Sequence, residues 1–192
     1  MPSIQRSGVL MIIEGLSKRI AEVIKRQIPD HNSSISVLQH AAAILLNVML
    51  TVIFTLLISA FTGNAKQALI SMIGFAVLRQ FSGGFHLKTG ADCIAFTTVL
   101  FTLVSFVDVN HVTVLVMNVL SLLLVMMFAP SRIEKQSRIP REHYYKLRLI
   151  SCFIVMLNFG LQSPTLAVIF FIQALSLVHW KGGQAHVMDQ QG

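Results

Sequence analysis

The 192-residue chain is short of charge, of cysteine and of clustered metal ligands, and each shortage removes a class of protein. Charged residues make up 12% against 54% hydrophobic, where soluble domains carry roughly 25% charged. That balance excludes an ordinary water-soluble core. With a mean hydropathy of +0.71, it points to a polytopic membrane protein. Two cysteines, Cys93 and Cys152, provide no disulfide framework. The seven histidines are scattered, with no helical pair at metal-binding spacing and no second cysteine beside Cys93, so neither a metal centre nor a cofactor is expected. A net charge of +7 is present, but no aromatic-interleaved basic surface accompanies it, which argues against nucleic acid. The early apolar run Val9–Ile13 is broken by Glu14 and has no small-residue cleavage site after it, so it does not read as a signal peptide.

What is present is a series of apolar runs. Residues 8–28 read as an amphipathic helix, with Ile13, Leu16, Ile20, Ile24 and Ile28 at helical spacing and Lys18, Arg19, Glu22, Lys25 and Arg26 between them. This mixture is too charged to cross a bilayer; it suits either an interfacial position or packing on other protein. An uncharged run from Ile35 to Thr62 follows, long enough for about 30 Å of hydrocarbon. Gly63-Asn64 forms a turn. Gln67 to Leu78 is a short or re-entrant span, Cys93 to Val107 the next, and Val112 to Ala129 a further one closed by Pro130. Leu149 to Gly160 and Pro164 to His179 read as a hairpin, with Gly160 ending one helix and Pro164 opening the next.

The expected fold is therefore all-α: a polytopic integral membrane protein of about six transmembrane helices, some short or re-entrant, with an N-terminal amphipathic interfacial helix. The expected organisation is an interfacial leader over 1–34, one transmembrane domain over 35–181 and a short tail over 182–192. Six crossings put both termini on one side, together with every Lys and Arg except Lys66. The positive-inside rule makes that side cytoplasmic. The most basic stretch, residues 131–148, carries Arg132, Lys135, Arg138, Arg141, Lys146 and Arg148.

The chemically richest segment is Arg79-Gln80-Phe81-Ser82-Gly83-Gly84-Phe85-His86, with Cys93 seven residues beyond the histidine. Polar groups at membrane depth are costly, so they are functional candidates. A cysteine and a histidine supply a thiolate nucleophile and its general base. On one straight helix His86 and Cys93 would lie about 10.5 Å apart along the axis, whereas a working pair needs contact near 3 Å. The chain must fold back between them, with Gly90 as a residue able to turn left-handed. Cys93 then falls in the first turn of the third span, with Asp92 as a possible N-cap. Gly83 and Gly84 can either offer N–H groups to an oxyanion or end a helix. Arg79 can bind a carboxylate, stabilise negative charge or snorkel to the interface. Cys152, within an apolar stretch, reads as a packing residue.

The pattern Arg79-x-x-Ser82-Gly83-Gly84-Phe85-His86-x6-Cys93, after an amphipathic leader and before Ala129-Pro130 and a basic loop, resembles the signature of the accessory gene regulator B (AgrB) family. These are membrane cysteine endopeptidases of Gram-positive quorum sensing. The resemblance implies that His86 and Cys93 are the catalytic pair, with Arg79, Gly83 and Gly84 in support. It implies a small precursor peptide with an amphipathic leader and an acidic C-terminal tail as substrate, and a homodimer in the bacterial cell membrane. The tail would be removed through a Cys93 thioester, which an internal cysteine or serine captures as a thiolactone or lactone. The alternative expectation is a noncatalytic peptide exporter or processing scaffold.

Overall fold

The computed structural model describes residues 8–28, 32–84, 90–131 and 140–178. Among them the secondary structure is seven α-helices and one short 3-10 turn: α1 (Gly8–Gln27), α2 (Ile35–Thr62), α3 (Ala65–Ser82), α4 (Gly90–Ser105), α5 (His111–Phe128), the turn Arg141–His143, α6 (Tyr144–Leu161) and α7 (Pro164–Leu175). The all-α membrane fold expected from the sequence is thus observed. Three helices, α2, α5 and α6, are long and apolar enough to cross a membrane, while α4 and α7 are shorter apolar helices. The distribution of side chains says the same. Phe61, Leu45, Met127 and Leu103 are exposed, while Thr55, Ser59, Asn118, Asn158 and Gln173 are buried. Lipid tails do not reward burial of a leucine over burial of a serine, so small and polar residues take the helix contacts.

The chain divides into two compact units. The first holds α1, α2, α4 and the first turn of α3. Here α1 packs chiefly on α2, and its buried residues are Ile13, Ser17 and Ala21, the latter two almost fully enclosed. Of the isoleucine and leucine stripe anticipated for this helix, Ile13 is buried but Leu16 and Ile28 are exposed. The contact line runs through small residues instead, because these let two backbones approach closely. Helix α1 therefore packs on protein along one line and presents Met11, Ile12 and Leu16 outward. Ser34 caps α2, its hydroxyl accepting from Val37 N, and Gly63 closes it at φ 78°, a left-handed conformation that glycine adopts without penalty.

The second unit holds the rest of α3 with α5, α6 and α7. Helix α7 is its most enclosed element, burying Ala167, Ile169, Phe170, Gln173 and Ala174. At Gly74 of α3 an added Cβ would lie 2.6 Å from Leu166 Cδ2 of α7, so the missing side chain is what lets these helices close. At the α6–α7 turn a single carboxamide organises the chain. Asn158 Nδ2 donates to Asn118 Oδ1 (3.0 Å) of α5 and to Ser163 O (3.1 Å), and its Oδ1 accepts from Ser163 N (3.1 Å).

Several boundaries differ from the sequence expectation. Gly160 lies inside α6, and Gln162 takes the left-handed position (φ 51°), its N–H bonded to Asn158 O. The Asn158 hub fixes the turn there, so the glycine is not needed to make it. Helix α6 starts at Tyr144 rather than Leu149, so Lys146 and Arg148 are helical and not part of a loop. Arg148 Nε donates to Ala129 O (2.6 Å), which anchors the end of α5. Pro164 does open α7, with Ser163 as its N-cap, but the helix ends at Leu175. The stretch 132–139 of the basic segment and His179 lie outside the described residues.

Asn158→Ala deletes three side-chain hydrogen bonds and strands Asn118 Oδ1. A loss of about 1–3 kcal/mol is expected, read as a lowered thermal midpoint in detergent; an unchanged midpoint would remove the hub from this account.

Candidate active site

Cys93 is placed by the start of α4. The helix begins at Gly90, and Cys93 is its fourth residue, half-buried in the first unit. The backbone carbonyl of Cys93 accepts from Thr97 Oγ1 (2.6 Å), one turn on. Thr97 Oγ1 is also 3.4 Å from Thr51 Oγ1 of α2, which itself donates to Asn47 O (2.9 Å). A polar seam between α2 and α4 thus runs up to the cysteine. The first-turn position is the expected one, but two details differ. Asp92 is the third helical residue and not the N-cap. Gly90 is absent from the positive-φ residues; it takes ordinary helical geometry. Its lack of a side chain serves another end, since a Cβ there would sit 2.6 Å from Asn47 Nδ2. Asn47 Oδ1 is buried beside it without a hydrogen-bond partner.

Near the N-terminus of α4, backbone N–H groups face outward with the positive end of the helix dipole. Asp92 lies in the same first turn.

Besides Gly63, two glycines take positive φ, Gly83 (72°) and Gly84 (134°), which follow α3 in the second unit. Gly83 N donates to Arg79 O (2.9 Å), ending the helix, and Gly84 N donates to Ser131 O (3.1 Å). Ser131 N donates to Ser82 O (2.9 Å), so residues 82–84 pair with Ser131 as a short parallel bridge. Both glycine N–H groups are therefore bonded within the protein, one ending α3 and the other pairing with Ser131. A Cβ on Gly84 would lie 2.9 Å from Ser176 Oγ.

Beneath this glycine strap sits Gln173 of α7, fully buried. Its Nε2 donates to Gly83 O (2.7 Å) and Ser82 Oγ (3.2 Å). Its Oε1 accepts from Arg79 Nη1 (3.3 Å) and Ser176 Oγ (3.2 Å). Arg79 is half-buried, with its guanidinium carbon 5.4 Å from the centre of the Phe75 ring. Ser131 Oγ donates to Leu177 O (3.3 Å), tying the strap to the end of α7 again.

The structure thus brings Arg79, Gly83 and Gly84 together in the second unit and sets Cys93 in the first. His86 lies outside the described residues. Gln173, Ser131 and Asn47 were not singled out from the sequence. The available signal was a carboxamide in an otherwise apolar run, Gln173 alone in Pro164–His179 and Asn47 together with Gln39 in Ile35–Thr62. Cys152 is buried in α6, as a packing residue would be.

Apolar membrane-length helices that meet through polar residues, with an irregular strap fastened over a buried amide, define a helical integral membrane protein. Comparison with known proteins makes this specific. The model of the family described as Accessory gene regulator B matches residues 17–181, and the chain belongs to that family. It is similar to "Accessory gene regulator protein B" of Staphylococcus intermedius, with 24% identity over 165 residues, 81% of this chain and 85% of that protein. It is also similar to "Putative AgrB-like protein 2" of Clostridium perfringens (strain 13 / Type A), with 28% identity over 82 residues. A second clostridial relative, "Putative AgrB-like protein" of strain SM101, matches at the same identity and length. The match spans 43% of this chain and only 38% of each clostridial protein. No solved structure matches the chain significantly.

Gly84→Ala forces a side chain into a left-handed backbone and toward Ser176. A cost of about 1–3 kcal/mol is expected, measured as a lowered thermal midpoint in detergent, whereas Gly8→Ala, with open space around it, leaves the midpoint unchanged.

Proposed function

We propose that this protein is a membrane-embedded cysteine endopeptidase of quorum-sensing peptide maturation, with Cys93 as nucleophile and His86 as general base. The observation that carries the reading is the position of Cys93 in the first turn of α4, seven residues after a histidine, in a chain of the accessory gene regulator B family. Six crossings with both termini and the site toward the cytoplasm follow from the distribution of Lys and Arg, and a homodimer from the family resemblance.

In this reading His86 takes the Cys93 proton, and the thiolate attacks the carbonyl carbon of the peptide bond before the substrate's acidic tail. The tetrahedral oxyanion collapses, the C–N bond breaks, and His86 returns its proton to the departing amine. The leader portion stays on Cys93 as a thioester. An internal cysteine thiol or serine hydroxyl of the substrate then attacks that thioester, closes the ring and releases Cys93. Exclusion of water favours ring closure over hydrolysis. No metal is required for any step. Arg79, Gly83 and Gly84 support the site by holding the chain that leads into His86. The cations from Arg132 to Arg148 attract the acidic tail, and α1 packs beside the substrate's amphipathic leader.

The test is cleavage of candidate precursor peptides, each with an internal Cys or Ser and an acidic tail, by full-length protein in liposomes. Cys93→Ala and His86→Ala should each abolish cleavage, and a precursor acyl group should be trappable on Cys93. Cleavage that survives both substitutions defeats the peptidase reading in favour of an exporter or scaffold. Replacing the cations of residues 132–148 by Gln, with insertion verified, should weaken processing of an acidic-tailed precursor; unchanged processing rejects the steering role.

A further inference from the structure

We propose that Asn47 is the positioning residue for the Cys93 nucleophile: its carboxamide, seated where a side chain on Gly90 would lie, fixes the rotation of α4 and with it the aim of the thiol. The inference rests on the peptidase reading above and adds to it a residue of α2, within the first unit.

One face of α2 carries Asn47, Thr51, Thr55 and Ser59 at steps of four, which a helix stacks one above another. Thr51 and Ser59 turn their hydroxyls back on their own helix, donating to Asn47 O (2.9 Å) and Thr55 O (2.7 Å). Asn47 differs. Its Oδ1 is buried with no hydrogen-bond partner among the described residues, an arrangement that destabilises unless the group serves another end. What the carboxamide does is meet the start of α4. A Cβ on Gly90 would lie 2.6 Å from Asn47 Nδ2, 3.0 Å from Oδ1 and 3.2 Å from Cγ. The amide thus lies against the glycine backbone, and any larger residue at position 90 would push α4 off α2. Asn47 has little room to swing aside, because its oxygen is already enclosed. An amide suits the place better than a leucine of similar shape. The first N–H groups of a helix have no partner within it, and their positive end favours a partial negative charge nearby.

A second contact lies further along the same face. Thr97 Oγ1 is 3.4 Å from Thr51 Oγ1 and donates to the Cys93 carbonyl (2.6 Å). Gly90, Cys93 and Thr97 stand at i, i+3 and i+7, the spacing of one helix face. The nucleophile therefore sits between the two points at which α4 meets polar side chains of α2. A helix held at two points on one face cannot turn about its axis without opening a contact. The rotation matters because the thiol is carried at the rim. A turn of about 15° moves an atom about 5 Å from the axis by roughly 1.3 Å, and a misplacement near 1 Å costs about 100-fold in rate.

Iodoacetamide alkylation of Cys93 tests the idea without requiring a known precursor. The protein is the full chain in liposomes with Cys152→Ala as background, and the second-order rate is read at one pH. Gly90→Ala drives a methyl group into the carboxamide and should move the rate roughly threefold or more from the parent. Gly90→Ala joined to Asn47→Ala lets the new methyl fill the vacated space, and the rate should return toward the parent's. That rescue is the signature of two residues acting through one another, which independent losses of stability would not produce. Gly15→Ala adds the same methyl in the same unit with open space around it, and should leave the rate unchanged. If Gly90→Ala fails to insert, Asn47→Ala alone is read, and its rate should also move roughly threefold. With a cleavable precursor, Gly90→Ala should lower kcat roughly 10- to 100-fold with little change in KM, and the double variant should recover most of the loss. A parental alkylation rate in the single variant, or a shift that the double variant retains, overturns the inference. The peptidase reading still stands in that case, provided Cys93→Ala abolishes cleavage. Cleavage that survives Cys93→Ala overturns that reading and with it the role assigned to Asn47.

Discussion

Irregular backbone inside a membrane protein survives only where its N–H and C=O groups find partners within the protein. Residues 82–84 obey that constraint through one buried amide and one short bridge, and much of the second unit is arranged to deliver them. Helix α7 brings Gln173 and Ser176 beneath the strap, and the end of α5 brings Ser131 alongside it. Arg148 of α6 holds Ala129 in turn, two residues before Ser131. Each helix of the unit thus contributes a polar group close to where the glycines leave α3.

The same economy recurs away from the strap. Asn158 organises the α6–α7 turn, Asn110 caps α5 by accepting from Thr113 N and Oγ1, and Thr51 and Thr97 face each other between α2 and α4. Greasy side chains such as Phe61 face outward because hydrocarbon welcomes them there as readily as a protein interior does. Hydrogen bonding and close backbone approach are what remain to tell one helix where to meet the next.

That division explains what was readable in the sequence. Apolar runs bounded by turn signals gave α2 to the residue and the other helices approximately, because hydropathy and capping are local properties. Charge asymmetry and the Arg79-to-Cys93 spacing likewise required no tertiary information. Several misreadings arose where a distant partner decided the outcome. Gly160 lost the turn to Gln162 because Asn158 reaches across to Ser163, and the left-handed geometry expected at Gly90 lies at Gly83 and Gly84 instead. Leu16 lost its place in the α1 contact to Ser17 and Ala21, since close packing of backbones outweighs side-chain hydrophobicity here. Gln173 was invisible for the same reason: nothing in an apolar run reveals which glycine, 90 residues earlier, a lone amide will hold.

The sequence distances in the strap also impose an order of assembly. Ser82 precedes Gln173 by 91 residues. During synthesis the glycines emerge first, and at that stage none of their partners in α5 or α7 exists. Ser131 arrives after a further helix pair, and the amide that completes the fastening arrives almost at the end of the described chain. The strap's glycines are made early and the amide that fastens them is made late, so in a half-built chain residues 82–84 wait without the partners that fix them.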